Sequence, residues 1–266
     1  MDLLNWALEI KGLSGVSRRY SLADLASRNP RTVYRTLMCV SNRVGGDSIG
    51  NAAWTVTPLG PLREPLLAGA GDGLRAAFYA ADGFHSSVPL QVALDPEAYL
   101  AWEINGVALP REHGFPLRVL LPDKYGMKQP RWLERIEITG ESVSGHWEKW
   151  GWSDECNVRM IARIDSVKRT PAEHWRVAGI AYCGAQPVTA VEVSDNGGEV
   201  WRGARLIGET LTNAWALWEL DWDPPGEGEH VLAVRVTDAA GNHQIAGYSG
   251  SYPSGSTGFH RVIVRV

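Results

Sequence analysis

The segment YRTLMCVSNRVGGDSIGNAAW, residues 34–54, contains an apolar run that ends at Cys39 and then becomes a polar loop punctuated by glycines. This pattern predicts a buried strand followed by a loop, with the cysteine at the junction. A cysteine at the end of an apolar run is most often a small buried hydrophobe. The alternative is a thiolate that a ligand can reach, because Gly45 and Gly46 would let backbone amides approach a bound group.

The composition is that of an ordinary soluble globular protein. The chain has 266 residues and a formal net charge of −4, enough length for one large domain or two smaller ones. The absence of a basic excess argues against binding to nucleic acid or to an anionic membrane surface. The three cysteines are too few, too widely spaced and odd in number for a disulfide framework. We expect all three to be reduced, and one bridge plus a free thiol stays open.

The two halves of the chain have different patterns. Residues 1–160 mix short helical and extended segments, and Ser21 with Asp24 predicts a capped helix that ends before Pro30. Residues 161–266 contain short β patterns separated by turn sequences. The sequence therefore predicts an α+β chain, in which a mixed domain is followed by an immunoglobulin-like β-sandwich.

A second chemically suggestive segment is REHGFPLRVLLPDKYGMKQPRW, residues 111–132. It places a histidine and five cations among prolines and glycines. One interpretation is a solvated turn between strands. The other is an anion site, since several fixed cations suit a phosphate or a similar oxyanion. The candidate side chains of this segment are His113, Arg118, Lys124, Lys128 and Arg131.

Common signatures of zinc sites and nucleotide loops are missing from the sequence. It contains no HExxH, CxxC, GxxxxGK or GxGxxG motif. Asp82 beside Gly83 most simply caps a turn, and His85 and His146 are most simply surface or structural histidines. Taken one by one, these residues do not define an active site.

The order of several motifs resembles the sulfite oxidase family of molybdenum enzymes, which carry one pyranopterin cofactor. The resemblance extends over essentially the whole chain, and the chain is most similar in pattern to prokaryotic members of the family. It implies a molybdopterin-binding catalytic domain at residues 1–160, trimmed at its N-terminus, and an immunoglobulin-like dimerisation domain at residues 161–266. The matching motifs are CVSN (39–42), GNAAW (50–54), the block at 88–122, and YGMKQPRWL (125–133).

The same resemblance implies a site built around molybdenum-molybdopterin. Cys39 would supply a thiolate ligand to the metal, and the loop after it would pack around the cofactor. Arg131 falls at the lysine of a basic family pattern and Lys128 at its arginine, so the two basic residue types are exchanged. The residues expected to bind the cofactor are Asn42, Asp82, His113, Arg118, Lys128, Gln129 and Arg131.

Two departures from the family bear on the substrate. An upstream arginine-asparagine-histidine segment has no counterpart here. The family's active-site tyrosine falls in the stretch HWEKWGWS, residues 146–153, where Trp150 or Trp152 takes its approximate place. Trp150 and Arg43 are the expected catalytic residues beside Cys39, and Arg159 is a further candidate for attracting anions.

The resemblance implies an oxidoreductase that performs two-electron oxygen-atom transfer at sulfite or at an S-oxide or N-oxide. Nothing like a CxxCH haem segment occurs, so we expect electrons to leave to a separate carrier, such as a cytochrome. We also expect a homodimer and an upstream segment that exports or tethers the protein. The alternative function is a non-catalytic scaffold that keeps the fold without a cofactor.

Overall fold

The computed structural model describes residues 5–60, 73–141, 143–171 and 174–266. Strands dominate these residues, and the helices among them are few and short. The chain divides into two compact units, one of Met1–Arg35 with Ala52–Cys156 and one of Thr36–Asn51 with Asn157–Val266. The segment that carries Cys39 therefore packs with the second unit, although it lies early in the chain.

Ten strands are described in the part of the chain before residue 157. In chain order they are β1 (Leu8–Lys11), β2 (Ser17–Tyr20), β3 (Arg31–Met38), β4 (Ile49–Pro58), β5 (Arg75–Ala80), β6 (His85–Pro89), β7 (Tyr99–Ile104), β8 (Val107–Ala108), β9 (Arg118–Leu120) and β10 (Leu133–Thr139). The described residues of this part also form two α-helices, α1 (Leu22–Ala26) and α2 (Leu90–Leu94), and 3-10 turns at Arg111–His113, Gly126–Lys128 and Glu148–Trp150.

These strands form two sheets. One has the order β2-β1-β10-β5-β6, in which β1 and β10 are parallel and the other pairs are antiparallel. The other has the order β3-β4-β7-β8, with β9 also paired to β7. Buried side chains of both sheets, among them Phe78, Leu100 and Val119, belong to one apolar core. This core fixes β9 and the turns beside it.

The helix predicted from Ser21 and Asp24 is confirmed. The Ser21 hydroxyl accepts the Asp24 N–H at 3.1 Å, and the Asp24 carboxylate accepts the Ser21 N–H at 2.9 Å. These reciprocal bonds satisfy backbone donors that the first turn leaves without helical partners. The predicted strand before Cys39 is also confirmed, because β3 ends at Met38.

The second unit contains eight further described strands. They are β11 (Ile161–Arg169), β12 (Trp175–Tyr182), β13 (Val188–Ser194), β14 (Arg202–Gly203), β15 (Arg205–Ile207), β16 (Ala216–Trp222), β17 (Glu229–Asp238) and β18 (His260–Arg265). Two antiparallel sheets result, β11-β12-β16-β15 and β14-β13-β17-β18. Residues of both, including Val177, Trp218 and Val234, share one core.

All three cysteines are free thiols, as expected. Cys39 is exposed, whereas Cys156 and Cys183 are buried. Among the described residues, no helix combines the length and the apolar character needed to span a bilayer.

Candidate functional site

Cys39 lies at the first position after β3. Its neighbours Met38 and Val40 are buried, but the Cys39 side chain is exposed and its Sγ lies 3.0 Å from the Ser41 hydroxyl. The Cys39 N–H donates to the Ser48 carbonyl at 2.9 Å, which closes the loop between β3 and β4. We call residues 39–48 the Cys39 loop. The alternation of the strand thus directs the thiol outward, where a ligand can reach it.

Asn42 organises this loop from inside. It is 5% exposed, its N–H donates to the Cys39 carbonyl at 3.0 Å, and its Oδ1 accepts the Ser48 N–H at 3.0 Å. Its Nδ2 is buried and has no hydrogen-bond partner in the part of the chain that the structure describes. A buried amide donor without a partner is costly and is an available contact for an acceptor on a bound group. Arg43, the next residue, is exposed.

In the first unit, Arg118 is a buried cation at the start of β9. It is 5% exposed, its Nη1 donates to the His113 carbonyl at 3.1 Å, and its Nη2 donates to the Gln129 carbonyl at 3.4 Å. The guanidinium lies 5.2 Å from the centroid of the Trp54 ring. Its Nε is buried and has no hydrogen-bond partner among the described residues. The two carbonyls and the ring that contact the guanidinium are all neutral.

A second cation increases the electrostatic cost at Arg118. Burial and the positive charge of Arg131 lower the pKa of the Arg118 guanidinium to about 9. Gly114 has a φ of +111°, and a Cβ there would lie 3.0 Å from the Arg131 Cβ and 3.3 Å from the Arg118 Cβ. Glycine thus permits the close approach of two like-charged side chains. An anion bound here would relieve both the repulsion and the unpaired Nε.

Arg131 and His113 form the exposed edge of this group. Arg131 Nη1 donates to the Glu112 carbonyl at 2.5 Å, and its guanidinium lies 4.5 Å from the Trp132 ring centroid. His113 ends the 3-10 turn and has an exposed side chain. We call Arg118 and Arg131, with His113 beside them, the arginine site.

Gln129 is an internal cross-link of the segment. It is 3% exposed, its Oε1 accepts the Leu121 N–H at 3.0 Å, and its Nε2 donates to the Lys124 carbonyl at 2.6 Å. Its carbonyl also accepts Arg118. Gln129 therefore holds the chain around the arginine site with its backbone and with its side chain.

Lys128 has a different environment from Arg118. It is fully buried, and its ammonium donates to the Ser87 carbonyl at 3.0 Å, to Asp154 at 2.9 Å and to Glu148. These three partners use all three of its N–H bonds. Two carboxylates compensate its charge, so its charge, unlike that of Arg118, is neutralised within the protein.

The remaining predicted site residues lie on exposed turns. The Asp82 carboxylate accepts the Phe84 N–H at 3.0 Å beside Gly83, which has a φ of +85°. This is the turn cap that the sequence predicts most simply. Trp150 is 71% exposed on the 3-10 turn Glu148–Trp150. Both residues belong to the first unit.

The structure therefore brings seven of the predicted residues into two sets, and Lys128, Asp82 and Trp150 belong to neither. In the first unit Arg118 donates to the carbonyls of His113 and Gln129, and the charge of Arg131 acts on Arg118. Cys39, Asn42 and Arg43 share a loop of the second unit. Sequence reasoning missed Gly114 as the residue that admits the two arginines and Trp54 as the ring beside Arg118. Both belong to quoted motifs, but a positive φ and a ring–cation contact are not visible in a motif.

Comparison with known proteins assigns the family. The profile described as "oxidoreductase molybdopterin binding domain" matches residues 1–147. A sulfite oxidase from Gallus gallus is 29% identical over 290 aligned positions, covering 90% of this chain and 63% of that protein. The mitochondrial sulfite oxidase of Macaca fascicularis is 30% identical over 298 positions, covering 92% of this chain and 54% of that protein. The chain thus spans between 54% and 63% of these relatives.

A solved structure shows the same fold. The sulfane dehydrogenase SoxCD from Paracoccus pantotrophus matches with a TM-score of 0.82 and 24% identity, over 100% of this chain and 77% of that chain. The chain belongs to the molybdopterin-binding oxidoreductase family, with sulfite oxidases among its relatives. The predicted family is therefore confirmed, and its cofactor is molybdenum bound to molybdopterin.

Proposed function

We propose that this chain is a molybdenum-cofactor oxidoreductase that transfers one oxygen atom, with two electrons, at a small substrate such as sulfite or an S-oxide or N-oxide. The similarity to sulfite oxidases favours a sulfur oxyanion. The observation that carries the proposal is the buried Arg118, whose charge faces a second cation and lacks a carboxylate among the described residues. Such a site is built for an anion that arrives from outside the chain.

When bound, the cofactor would supply the oxygen-atom transfer, in which sulfite and water yield sulfate, two protons and two electrons. Cys39 would hold the metal, because a soft, anionic thiolate suits a high-valent transition metal. Its exposed position at the end of β3 supports this role. The buried, unpartnered Nδ2 of Asn42 would donate to the cofactor beside it.

The arginine site would hold the pterin phosphate. Arg118 and Arg131 offer fixed N–H donors, and charge-assisted bonds to a phosphate are stronger than neutral ones. His113 would add a donor at the exposed edge. Gln129 and the compensated Lys128 would orient this segment, and Asp82 would contact the cofactor through its turn.

The substrate would meet exposed groups. Arg43 would attract an oxyanion by its charge. Trp150, in place of the family's tyrosine, has an indole N–H that can donate but has no hydroxyl that could act as an acid. This difference favours a substrate that needs no proton from that position.

The whole protein would also need partners. We propose that residues 1–160 form the α+β molybdopterin-binding catalytic domain and that residues 161–266 form an immunoglobulin-like dimerisation domain. Electrons would pass to a separate carrier, such as a cytochrome. The two antiparallel sheets with a shared core support the sandwich assignment.

The first test is the molybdenum and pterin content of protein purified from a host that makes the cofactor. We expect near-equal amounts of chain, molybdenum and pterin, and oxidation of sulfite with ferricyanide as acceptor. Arg118→Ala should lose pterin, whereas Arg19→Ala, which removes an exposed charge on β2, should keep it. Cys39→Ser should abolish turnover with the fold intact. A wild-type protein without molybdenum or pterin would contradict the proposal and favour the scaffold function.

The second test uses inorganic phosphate on the metal-free protein. An anion that binds the folded state alone stabilises it, by about 2.7 kcal/mol at a concentration one hundred times its Kd. We expect phosphate to raise the thermal midpoint of the wild type and of Arg19→Met, but not of Arg118→Met. Equal shifts in all three proteins would show that Arg118 does not bind the anion.

A further inference from the structure

Three side chains from the C-terminal part of the second unit contact the Cys39 loop. The Ser256 hydroxyl, in a residue that is 5% exposed, donates to the Asn42 carbonyl at 2.8 Å. Arg163 Nη1 donates to the Gly46 carbonyl at 2.6 Å. The third, the His260 ring, lies against Gly45. These contacts join residues that are more than one hundred positions apart in the chain.

The His260 contact leaves no room for a side chain on the loop. A Cβ on Gly45 would lie 2.3 Å from His260 Cδ2 and 2.4 Å from its Nε2, and Gly45 has a φ of +73°. The ring itself is fixed, because its Nδ1 accepts the Ile164 N–H from β11 at 3.0 Å. This bond requires the tautomer with the proton on Nε2. Glycine at position 45 therefore lets the loop pack directly on an imidazole held by the sheet.

Arg163 is fixed in a similar way. Its Nε donates to Asp165 at 2.5 Å, and its side chain is 17% exposed. With Nε bound in this way, the Arg163 Nη1 donates to the Gly46 carbonyl. At this point the loop is also tight internally, because a Cβ on Gly46 would lie 2.5 Å from Asn42 Oδ1. The glycine-rich Cys39 loop is thus held by Arg163 and His260, whose side chains are fixed by bonds to residues outside the loop.

We propose that Ser256, Arg163 and His260 are positioning residues, which fix the Cys39 loop and thereby orient the Cys39 thiol. This inference rests on the proposed function for its meaning, since it concerns the thiolate that would hold the metal. A metal ligand on a loop gains precision only when surrounding groups immobilise that loop. The second unit would then serve the active site as well as any dimer contact.

Hydrogen exchange of the metal-free protein tests the holding of the loop. We expect the amides of Cys39, Asn42 and Gly46 to exchange about tenfold faster in Ser256→Ala and in His260→Ala, because each removes one contact that restrains loop opening. Matched controls are Ser249→Ala and His230→Ala. Ser249 bonds to the side chain and backbone of Thr257, and the His230 ring bonds to the Gly226 carbonyl.

The glycine contact has its own control. Gly208 has a φ of +76°, close to that of Gly45, but a Cβ there would meet no atom within 4 Å. We expect Gly45→Ala to accelerate exchange of the loop amides and Gly208→Ala to leave them unchanged. In Gly45→Ala/His260→Ala the collision is gone and the strain of alanine at a positive φ is left, so adding Gly45→Ala to His260→Ala should accelerate exchange less than Gly45→Ala does in the wild type. Additive effects of the two changes would contradict direct packing.

The orientation of the thiol needs a readout that loop stability alone does not give. In metal-free protein we expect Cys39 to react with a bulky disulfide reagent about tenfold faster in His260→Ala than in His230→Ala. In loaded protein the same variant should shift the thiolate-to-molybdenum absorption band. Unchanged exchange or an unchanged thiol rate would overturn the inference. Absence of molybdenum from the wild type would overturn the proposed function instead. The measurements on metal-free protein would still decide whether these three residues position the Cys39 loop.

Discussion

At the scale of single residues, Arg118 and Lys128 show two ways of burying a cation. Lys128 has two carboxylates and a carbonyl around its ammonium. Arg118 has two carbonyls, an aromatic ring and another cation. Burying a charge without a counter-charge costs free energy that a stable fold would avoid. From this difference we propose a structural role for Lys128 and the binding of an external anion for Arg118.

The three thiols should differ sharply in reactivity. Burial raises the pKa of the Cys156 thiol to about 11 and that of the Cys183 thiol to about 12. Both will therefore stay protonated and shielded at pH 8, while exposed Cys39 is accessible. We expect a thiol-disulfide reagent to titrate about one thiol per native chain and all three after unfolding in guanidinium. Cys39→Ser should give none in the native state; a second reactive thiol in native protein would contradict this assignment.

At the scale of elements, Lys128 joins the 3-10 turn Gly126–Lys128 to β6 and to the turn that carries Glu148. Lys128→Met would leave the Glu148 carboxylate, whose side chain is 6% exposed, without its cation. We expect a loss of about 3–5 kcal/mol in the free energy of unfolding. Lys149→Met, one residue beyond Glu148 and exposed, should cost less than about 0.5 kcal/mol. Denaturant titration compares the two variants, and equal losses would show that the buried pair contributes nothing specific.

The ion pair between Lys128 and Asp154 should make the stability of the fold depend on pH. Burial alone would raise the pKa of the Asp154 carboxyl, but the hydrogen bonds and charges of Lys128 and Arg75 outweigh it and lower the pKa below its usual 3.8. The ionised carboxylate therefore stabilises the fold above pH 3.8, and this contribution is lost as pH falls through the folded pKa.

Asp154→Asn tests this pH dependence. Because the carboxylate is 52% exposed, solvent screening limits the expected loss at pH 7 to about 1 kcal/mol or less. The difference between Asp154→Asn and the wild type should shrink as pH falls below 3.8. A difference that stays constant between pH 7 and pH 3 would show that the lost stability does not come from ionisation. Denaturant titrations of both proteins at several pH values measure this difference in the free energy of unfolding.

Local sequence predicts elements well where the deciding contacts are local. The capping box of Ser21 and Asp24 lies within four residues, and its helix forms as expected. The apolar run before Cys39 forms β3. By contrast, the contact of Gly45 with His260 and the approach of Arg118 to Arg131 around Gly114 depend on folding between distant residues. The family motifs located the arginine site, but the burial and unpaired charge of Arg118 required the structure.

At the scale of the whole molecule, segment Thr36–Asn51 lies early in the sequence yet packs with Asn157–Val266. The predicted division at residues 160 and 161 follows composition along the chain and stays a prediction. A composition change cannot show where an early segment will pack, because Ser256, Arg163 and His260 lie far from Cys39 in sequence. The packing of this segment nevertheless determines which unit holds the loop that carries the thiol.

This packing predicts how stability is shared along the chain. Amides in one cooperative unit exchange with the opening of that unit. Trp218→Ala, in the core of the second unit, and Phe78→Ala, in the core of the first, each remove a fully buried ring and should cost about 3–5 kcal/mol. We expect Trp218→Ala to accelerate exchange of Cys39, Asn42 and Gly46 far more than Phe78→Ala does.

The amides of β10 provide the reciprocal control, because that strand belongs to the first unit. They should respond to Phe78→Ala, whose residue pairs with Ile136, more than to Trp218→Ala. Exchange measured by mass spectrometry under native conditions resolves both segments. If the two substitutions accelerate the Cys39 loop equally, the loop opens with the whole chain. If only Trp218→Ala does so, the stability of the two sheets of the second unit determines how long the Cys39 loop stays closed.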